Sequence, residues 1–164
     1  METLEAIKQR KSVREWDDKP LSQNQLEQIV DAGRRAPTAI NIQPWEFMVV
    51  TQKKTLGDIA RATDHGTFID NAPACIIVYC KSTKYYLEDG CAAVENMLLA
   101  ATSLGLAGCW VAGDKKPYTQ EMSSILNVPD DYKLVALVPV GFPKYPTTSK
   151  PKRPLNDVLH WETF

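Results

Sequence analysis

The recurrence of apolar positions divides the chain into short helices and strands. Leu4 and Ile7 sit on adjacent turns of a helix over about residues 4–8. A sharper start follows, where Ser22 and Gln25 have the spacing of a capping box and Leu21 and Leu26 that of a hydrophobic staple. Leu26, Ile29, Val30 and Gly33 then recur at helical spacing. Pro37 ends that pattern, because the residue before a proline is pushed out of the helical region. Residues 45–51 form a β-rich run and 54–62 a short helix. Residues 74–80 are apolar at nearly every position, which predicts a strand covered on both faces. The longest helical pattern covers about 85–104. Its Ala92, Ala93, Ala100 and Ala101 admit a neighbouring helix closely, and Gly105 stands where a C-terminal stop belongs. A short strand over 109–111, a helix over 120–126 and a strand over 134–140 complete the regular part. From Gly141 onward, Pro143, Pro146, Pro151 and Pro154 punctuate a tail with little periodicity.

Helices therefore alternate with strands, which implies an α+β or α/β layer packed on both faces. No repeat, low-complexity tract or linker divides the chain, so a single domain over residues 1–164 is expected. With 164 residues the chain can hide roughly 70% of its unfolded surface and needs no disulfide or metal to fold. The proline-rich tail is the odd element. A stretch of that length should not stay ordered alone, so it is either disordered or packed along something, a partner subunit being one candidate.

Nineteen Lys and Arg against 20 Asp and Glu leave a net charge of −1, too weak a field for nucleic acid or an anionic membrane to be the main partner. No apolar run approaches the roughly 20 residues of a membrane span, and no signal-peptide core is visible, so a cytoplasmic protein is expected. Cys75, Cys80, Cys91 and Cys109 form no C-x-x-C pair. With only His65 and His160 beside them, no metal site is expected, and the cysteines read as reduced core thiols.

The basic residues are clustered even though the total is balanced. Lys8, Arg10, Lys11 and Arg14 form one group, and Lys144, Lys150, Lys152 and Arg153 another. Two such groups either converge on one dianionic phosphate, with Ser12 adding a hydroxyl donor, or stay solvated surface charge. Residues 36–45 place Thr38, Asn41 and Gln43 between two prolines just before a strand, either as recognition groups or as an ordinary connection. Residues 105–113 are rich in small residues but contain no G-x-G-x-x-G, and no P-loop occurs anywhere. Such a backbone can approach a flat ligand closely. No nucleophile–base pattern is visible. An enzyme lacking nucleophile, metal and acid–base set usually borrows its chemistry from a cofactor.

Taken together, these segments resemble the nitroreductase family of FMN-dependent oxidoreductases. Ile7-x-x-Arg10-Lys11-Ser12-Val13-Arg14 is similar to the family's phosphate-binding R-x-S-x-R. Ala36-Pro37-Thr38-Ala39-x-Asn41-x-Gln43-Pro44-Trp45 is close to its A-P-S-x-x-N-x-Q-P-W. The likeness continues in order through residues 104–110, 139–143 and the basic tail at 152–155. It implies an α+β fold with a central, mainly antiparallel sheet flanked by helices. It also implies a homodimer that binds FMN at the subunit interface, with a C-terminal arm exchanged with the dimer mate.

By the same resemblance, Arg10, Ser12 and Arg14 hold the phosphate and ribityl chain, Lys11 contributes through its backbone, and Lys152 and Arg153 reach the phosphate from the tail. Pro37, Thr38, Ala39 and Asn41 reach the flavin from the other subunit, with Gln43 supporting their loop. Trp110, Val111, Ala112 and Gly113 border the ring, the amides of Ala112 and Gly113 facing its reactive edge. His65, Phe68 and Ile69 line the substrate pocket. The implied reaction passes hydride from NAD(P)H through flavin N5 to a small electron-poor acceptor such as a nitroarene or quinone, with no catalytic side chain. Two rival readings stand beside it. One is a non-catalytic flavin-binding or redox-sensing module. The other is a specialised enzyme of the superfamily, such as a dehalogenase, an azoline dehydrogenase or a flavin-fragmenting enzyme.

Overall fold

A computed structural model describes residues 1–146 and 151–164; Lys150 of the second basic group lies outside them. Helix α1 covers Thr3–Gln9 and α2 covers Gln23–Gly33. The capping box at α2 is formed in full: the Ser22 hydroxyl accepts from Gln25 N at 3.2 Å, and the Gln25 side chain accepts from Ser22 N at 3.0 Å. Strand β1 (Trp45–Val50), helix α3 (Lys53–Ala62), strand β2 (Ala74–Lys81) and helix α4 (Tyr86–Ser103) follow. Gly105 closes α4 with φ +73°, a left-handed conformation that glycine adopts without steric cost. Two short strands, β3 (Ala107–Gly108) and β4 (Val111–Ala112), stand where one was expected. Helix α5 (Thr119–Leu126) and strand β5 (Tyr132–Gly141) complete the body.

The sheet is antiparallel, in the order β1-β2-β5-β3, with β4 also paired to β5. Strand β2 is buried along Ala74–Cys80, as its apolar run predicts, and its alternation divides the core in two. Ala74, Ile76, Val78 and Cys80 pack against α2 and α4 through Leu26, Ile29, Val94 and Met97. Cys75, Ile77 and Tyr79 face Leu56, Ile59 and Met122 of α3 and α5.

The alternation of β5 breaks once, at a bulge opposite Val78 and Tyr79. There Ala136 and Leu134 take successive partners and Val135 is passed over. Val135 and Ala136 therefore both point toward α4, while Leu134 and Leu137 face α3 and α5. Strand β4 lies beside this bulge. Among the described residues no helix is long and apolar enough to cross a membrane, and no group of three potential metal ligands occurs.

Candidate functional site

The segment after α1 runs extended along β3: Ser12 bridges Gly108 in parallel, and Val13 N donates to Gly108 O at 3.0 Å. Val13 is buried with Trp16 and Ala72, so the alternation of an extended chain leaves Ser12 and Arg14 on the outer side. Trp16 anchors the segment, donating its indole N–H to Ala107 O at 2.8 Å. Arg10 is half-buried beside Glu95 of α4, 3.7 Å away, and Lys11 is half-buried next to it. The structure thus brings Arg10, Ser12 and Arg14 into one row.

A cleft of about 160 Å³ opens at the end of that row. Phe68, Trp110, Val111 and Tyr118 give it apolar walls, and Arg14, Asp64, His65, Ala112 and Lys116 border it. The Arg14 guanidinium lies over the Phe68 ring, 5.5 Å from its centre. Burial pushes the Cys109 thiol, at the same cleft, up from its ordinary value, against the Arg14 and Arg10 charges and the Ser12 hydroxyl. A larger groove of about 680 Å³ lies between α2 and β1 among Leu21, Leu26, Val30 and Val49, and none of the expected site residues lines it.

The backbone beside the cleft is fixed from two sides. Gly113 N donates to Val135 O at 3.0 Å, and the Tyr118 hydroxyl donates to Ala112 O. Gly113 and Val135 therefore form a hydrogen-bonded pair of the ladder. By the alternation of antiparallel pairs, the Ala112 amide turns away from β5. Of the two amides expected to face a ligand, Gly113's is taken by the sheet and Ala112's is directed outward. Gly113 has a different task. A Cβ there would stand 2.5 Å from Leu134 Cγ and 3.0 Å from the Val135 carbonyl carbon, so only glycine lets β4 meet the bulge.

Tyr118, Lys116 and Asp64 were not expected at the site. Lys116 Nζ donates to Asp64 Oδ2 at 3.1 Å, and that hydrogen bond holds the Asp64 carboxyl below its ordinary range. Burial, and then the Asp64 charge, push the Tyr118 hydroxyl up to about 12. Nothing in the sequence pattern marks these residues, because their meeting depends on how α5 and the 64–68 turn close over β4. The 3-10 turn Thr67–Asn71 separates the expected pocket residues. His65 and Phe68 border the cleft, whereas Ile69 is fully buried in the core beneath α3 and reaches no cavity surface. Consecutive side chains of a 3-10 turn stand about 120° apart, so Phe68 reaches the cleft while Ile69 turns into the core, which corrects the expectation for Ile69.

The 38–43 loop stands apart from the cleft within one chain. The Thr38 hydroxyl donates to Asp89 Oδ2 at 2.9 Å and accepts from Gln43 N at 3.2 Å, and Ala39 N donates to Asp89 Oδ1 at 3.2 Å. Those two groups are thus turned inward. The Gln43 amide donates to Asn41 Oδ1 at 3.1 Å, in keeping with its expected supporting part. Asn41, Pro37 and the 92%-exposed Ile40 face outward. Residues 151–164 are exposed throughout. Among the described residues its hydrogen bonds stay within the segment, as in Arg153 Nη2 to Asp157 O at 2.7 Å, and none joins Lys152 or Arg153 to the Arg10–Ser12–Arg14 row.

The donor set suits a phosphorylated, flat cofactor: two guanidiniums and a hydroxyl lie in line with an aromatic-walled cleft and one outward amide. Comparison with known proteins bears on the same residues. The model of the nitroreductase family matches residues 7–65 and 65–142. A protein of Archaeoglobus fulgidus, provisionally named an NADH dehydrogenase/NAD(P)H nitroreductase, is 33% identical over 150 residues, 87% of this chain and 86% of its own. A structure from Parabacteroides distasonis with the same provisional name superposes with a TM-score of 0.93 at 32% identity, over 99% of this chain and 98% of its own. A provisionally named nitroreductase from Desulfovibrio desulfuricans, solved in complex with FMN, superposes at 0.84 with 28% identity, over 100% of this chain and 98% of its own.

Proposed function

Since the chain belongs to the nitroreductase family, we propose that it is an FMN-dependent oxidoreductase that carries hydride from NADH or NADPH to a small electron-poor acceptor such as a nitroarene or quinone. The observation that carries this reading is the bridge between Ser12 and Gly108, which joins the row of phosphate donors to the aromatic cleft on one surface. FMN, when bound, supplies a hydride-accepting ring, a chemistry that no side chain of the protein possesses. Arg10, Ser12 and Arg14 hold the phosphate by charge-assisted hydrogen bonds. Phe68, Trp110 and Val111 wall the ring, and the Ala112 amide donates toward its edge from a backbone that Tyr118 and Val135 keep in place. His65 and Phe68 border the face left to nicotinamide and acceptor.

A second copy of the chain completes the site. Cofactor pockets usually run to about 300–1,000 Å³, so a cleft of about 160 Å³ is part of one. The exposed tail, with Leu155, Val158 and Trp161 turned to solvent, supports a homodimer in which the tail and the 38–43 loop serve the mate's cofactor. Lys152 and Arg153 then reach a phosphate that their own row does not bind. In this reading residues 1–164 act as one domain. Four cysteines free of disulfides support a reducing compartment, the cytoplasm.

Denaturing the purified protein and identifying the released chromophore tests the reading. FMN at one per chain is expected. A colourless protein that takes up no FMN would refute it.

A further inference from the structure

We infer that Asp89 is a positioning residue for the flavin site, holding the 38–43 loop in the one shape that presents Asn41 outward. Asp89 is 6% exposed and is the one buried carboxylate among the described residues. It stands in the first turns of α4, on the same stripe as Ala93, Met97 and Ala101, where the positive end of the helix favours its charge. A carboxylate on a buried stripe needs hydrogen-bond donors, and the loop brings two, 50 residues away in sequence. Each oxygen takes one: Oδ2 from the Thr38 hydroxyl and Oδ1 from the Ala39 amide.

The loop requires such a hold. Ile40, Asn41 and Gln43 have φ of 46°, 60° and 54°, left-handed values that a β-branched isoleucine in particular adopts only when its surroundings impose them. Ile40 is 92% exposed, so packing of its own side chain does not impose them. The constraint comes from inside: Asp89 fixes Thr38 and Ala39, and the Thr38 hydroxyl in turn accepts from Gln43 N. Asn41 N to Thr38 O at 3.2 Å and Ile42 N to Ala39 O at 3.1 Å close the turn. With its Oδ1 held by Gln43, Asn41 offers its Nδ2 donors to whatever the loop faces. The lock is read from this chain alone. That the faced group is a flavin rests on the functional reading above.

Asp89→Asn keeps the volume but removes the charge, and it keeps Thr38 only by reversing that bond, its Nδ2 donating to the hydroxyl in place of the charge-assisted bond that Asp89 accepts. Hydrogen exchange on the cofactor-free protein reads the lock directly, and titration with FMN reads its consequence. Both amide exchange over residues 39–43 and the dissociation constant for FMN should rise about tenfold, the loss of one charge-assisted hydrogen bond. Flavin reduction in the fully loaded variant should also slow. Thr38→Val should reproduce these changes from the other end, and the double variant should be no worse than the worse single one. If Asp89→Asn does not fold, Thr38→Val carries the same test. Wild-type exchange and FMN affinity in the variants, beside a wild-type protein that binds FMN, would overturn the inference alone. A wild-type protein that takes up no FMN would overturn the functional reading and this inference with it.

Discussion

Replacing Gly113 by alanine puts one methyl group into the tightest contact beside the candidate site. Its Cβ would lie 2.5 Å from Leu134 Cγ, 3.0 Å from the Val135 carbonyl carbon and 3.1 Å from Ala136 N. Two of those three atoms are backbone, and Leu134 is only 3% exposed, so no side-chain rotation relieves the clash. Strand β4 must draw away from β5, which stretches the 3.0 Å bond from Gly113 N to Val135 O. Overpacking of this kind costs about 1–3 kcal/mol. The weakened hydrogen bond adds about 1 kcal/mol. For a domain of this size about 1 kcal/mol moves the melting temperature by roughly 2–4 °C, so a fall of about 5–15 °C is expected. The scan belongs on cofactor-free protein at fixed concentration, because a bound ligand would mask part of the change. With FMN added, the displaced Ala112 amide should also slow flavin reduction. A melting temperature within about 2 °C of wild type would refute the argument that β4 depends on this close approach.

Other perturbations test other parts. Arg14→Ala should weaken FMN binding by about 1.5–3 kcal/mol, a charge-assisted hydrogen bond; an unchanged titration of apo-protein would make Arg14 mere surface charge. Ending the chain at Pro146 should leave a folded body, since residues 151–164 are exposed and, among the described residues, hydrogen-bond only within their own segment, but should weaken dimer and FMN retention by light scattering and absorbance. Alkaline pH should destabilise the protein in a defined window. The Cys80 thiol is pushed up to about 12 by burial, Tyr86 to about 12 by its hydrogen bond to Asp114, and Tyr118 to about 12 by burial. Groups with raised values favour the folded state fully below their unfolded values of 9.0 and 10.0, and that contribution is lost as pH rises toward 12. Urea midpoints should therefore hold steady up to about pH 9 and fall above it, with Tyr118→Phe removing part of the fall.

The elements governed by local chemistry were legible in the chain. The capping box at Ser22, the apolar run of β2 and the stop at Gly105 each act through residues a few positions apart, and each is formed as spaced. The gap between β3 and β4 was not legible: both keep one register on β5, Ala107 opposite Gly141 and Ala112 opposite Ala136, and the strand pairing lapses only at Cys109 and Trp110. The site divides the same way. The row at Arg10, Ser12 and Arg14 follows from the alternation of one extended segment, whereas the meeting of Tyr118 with Ala112 depends on tertiary closure. Asp89 did carry a local signal, an acid on an otherwise apolar helical stripe, whose partner only the fold supplies. Ile69 shows the limit of motif transfer: its neighbours His65 and Phe68 reach the cleft, while the 3-10 turn carries Ile69 into the core.

The central claim is that this chain binds FMN in order to pass electrons on, rather than merely to hold it. Anaerobic rapid mixing of the FMN-loaded protein with NADH and with NADPH, followed by the flavin absorbance band, tests that most directly. Bleaching by at least one nucleotide at a rate no slower than steady-state turnover is expected, with recovery when a nitroarene or quinone is added. A flavin-loaded protein that neither nucleotide reduces would contradict the account and leave a binding or sensing module in its place.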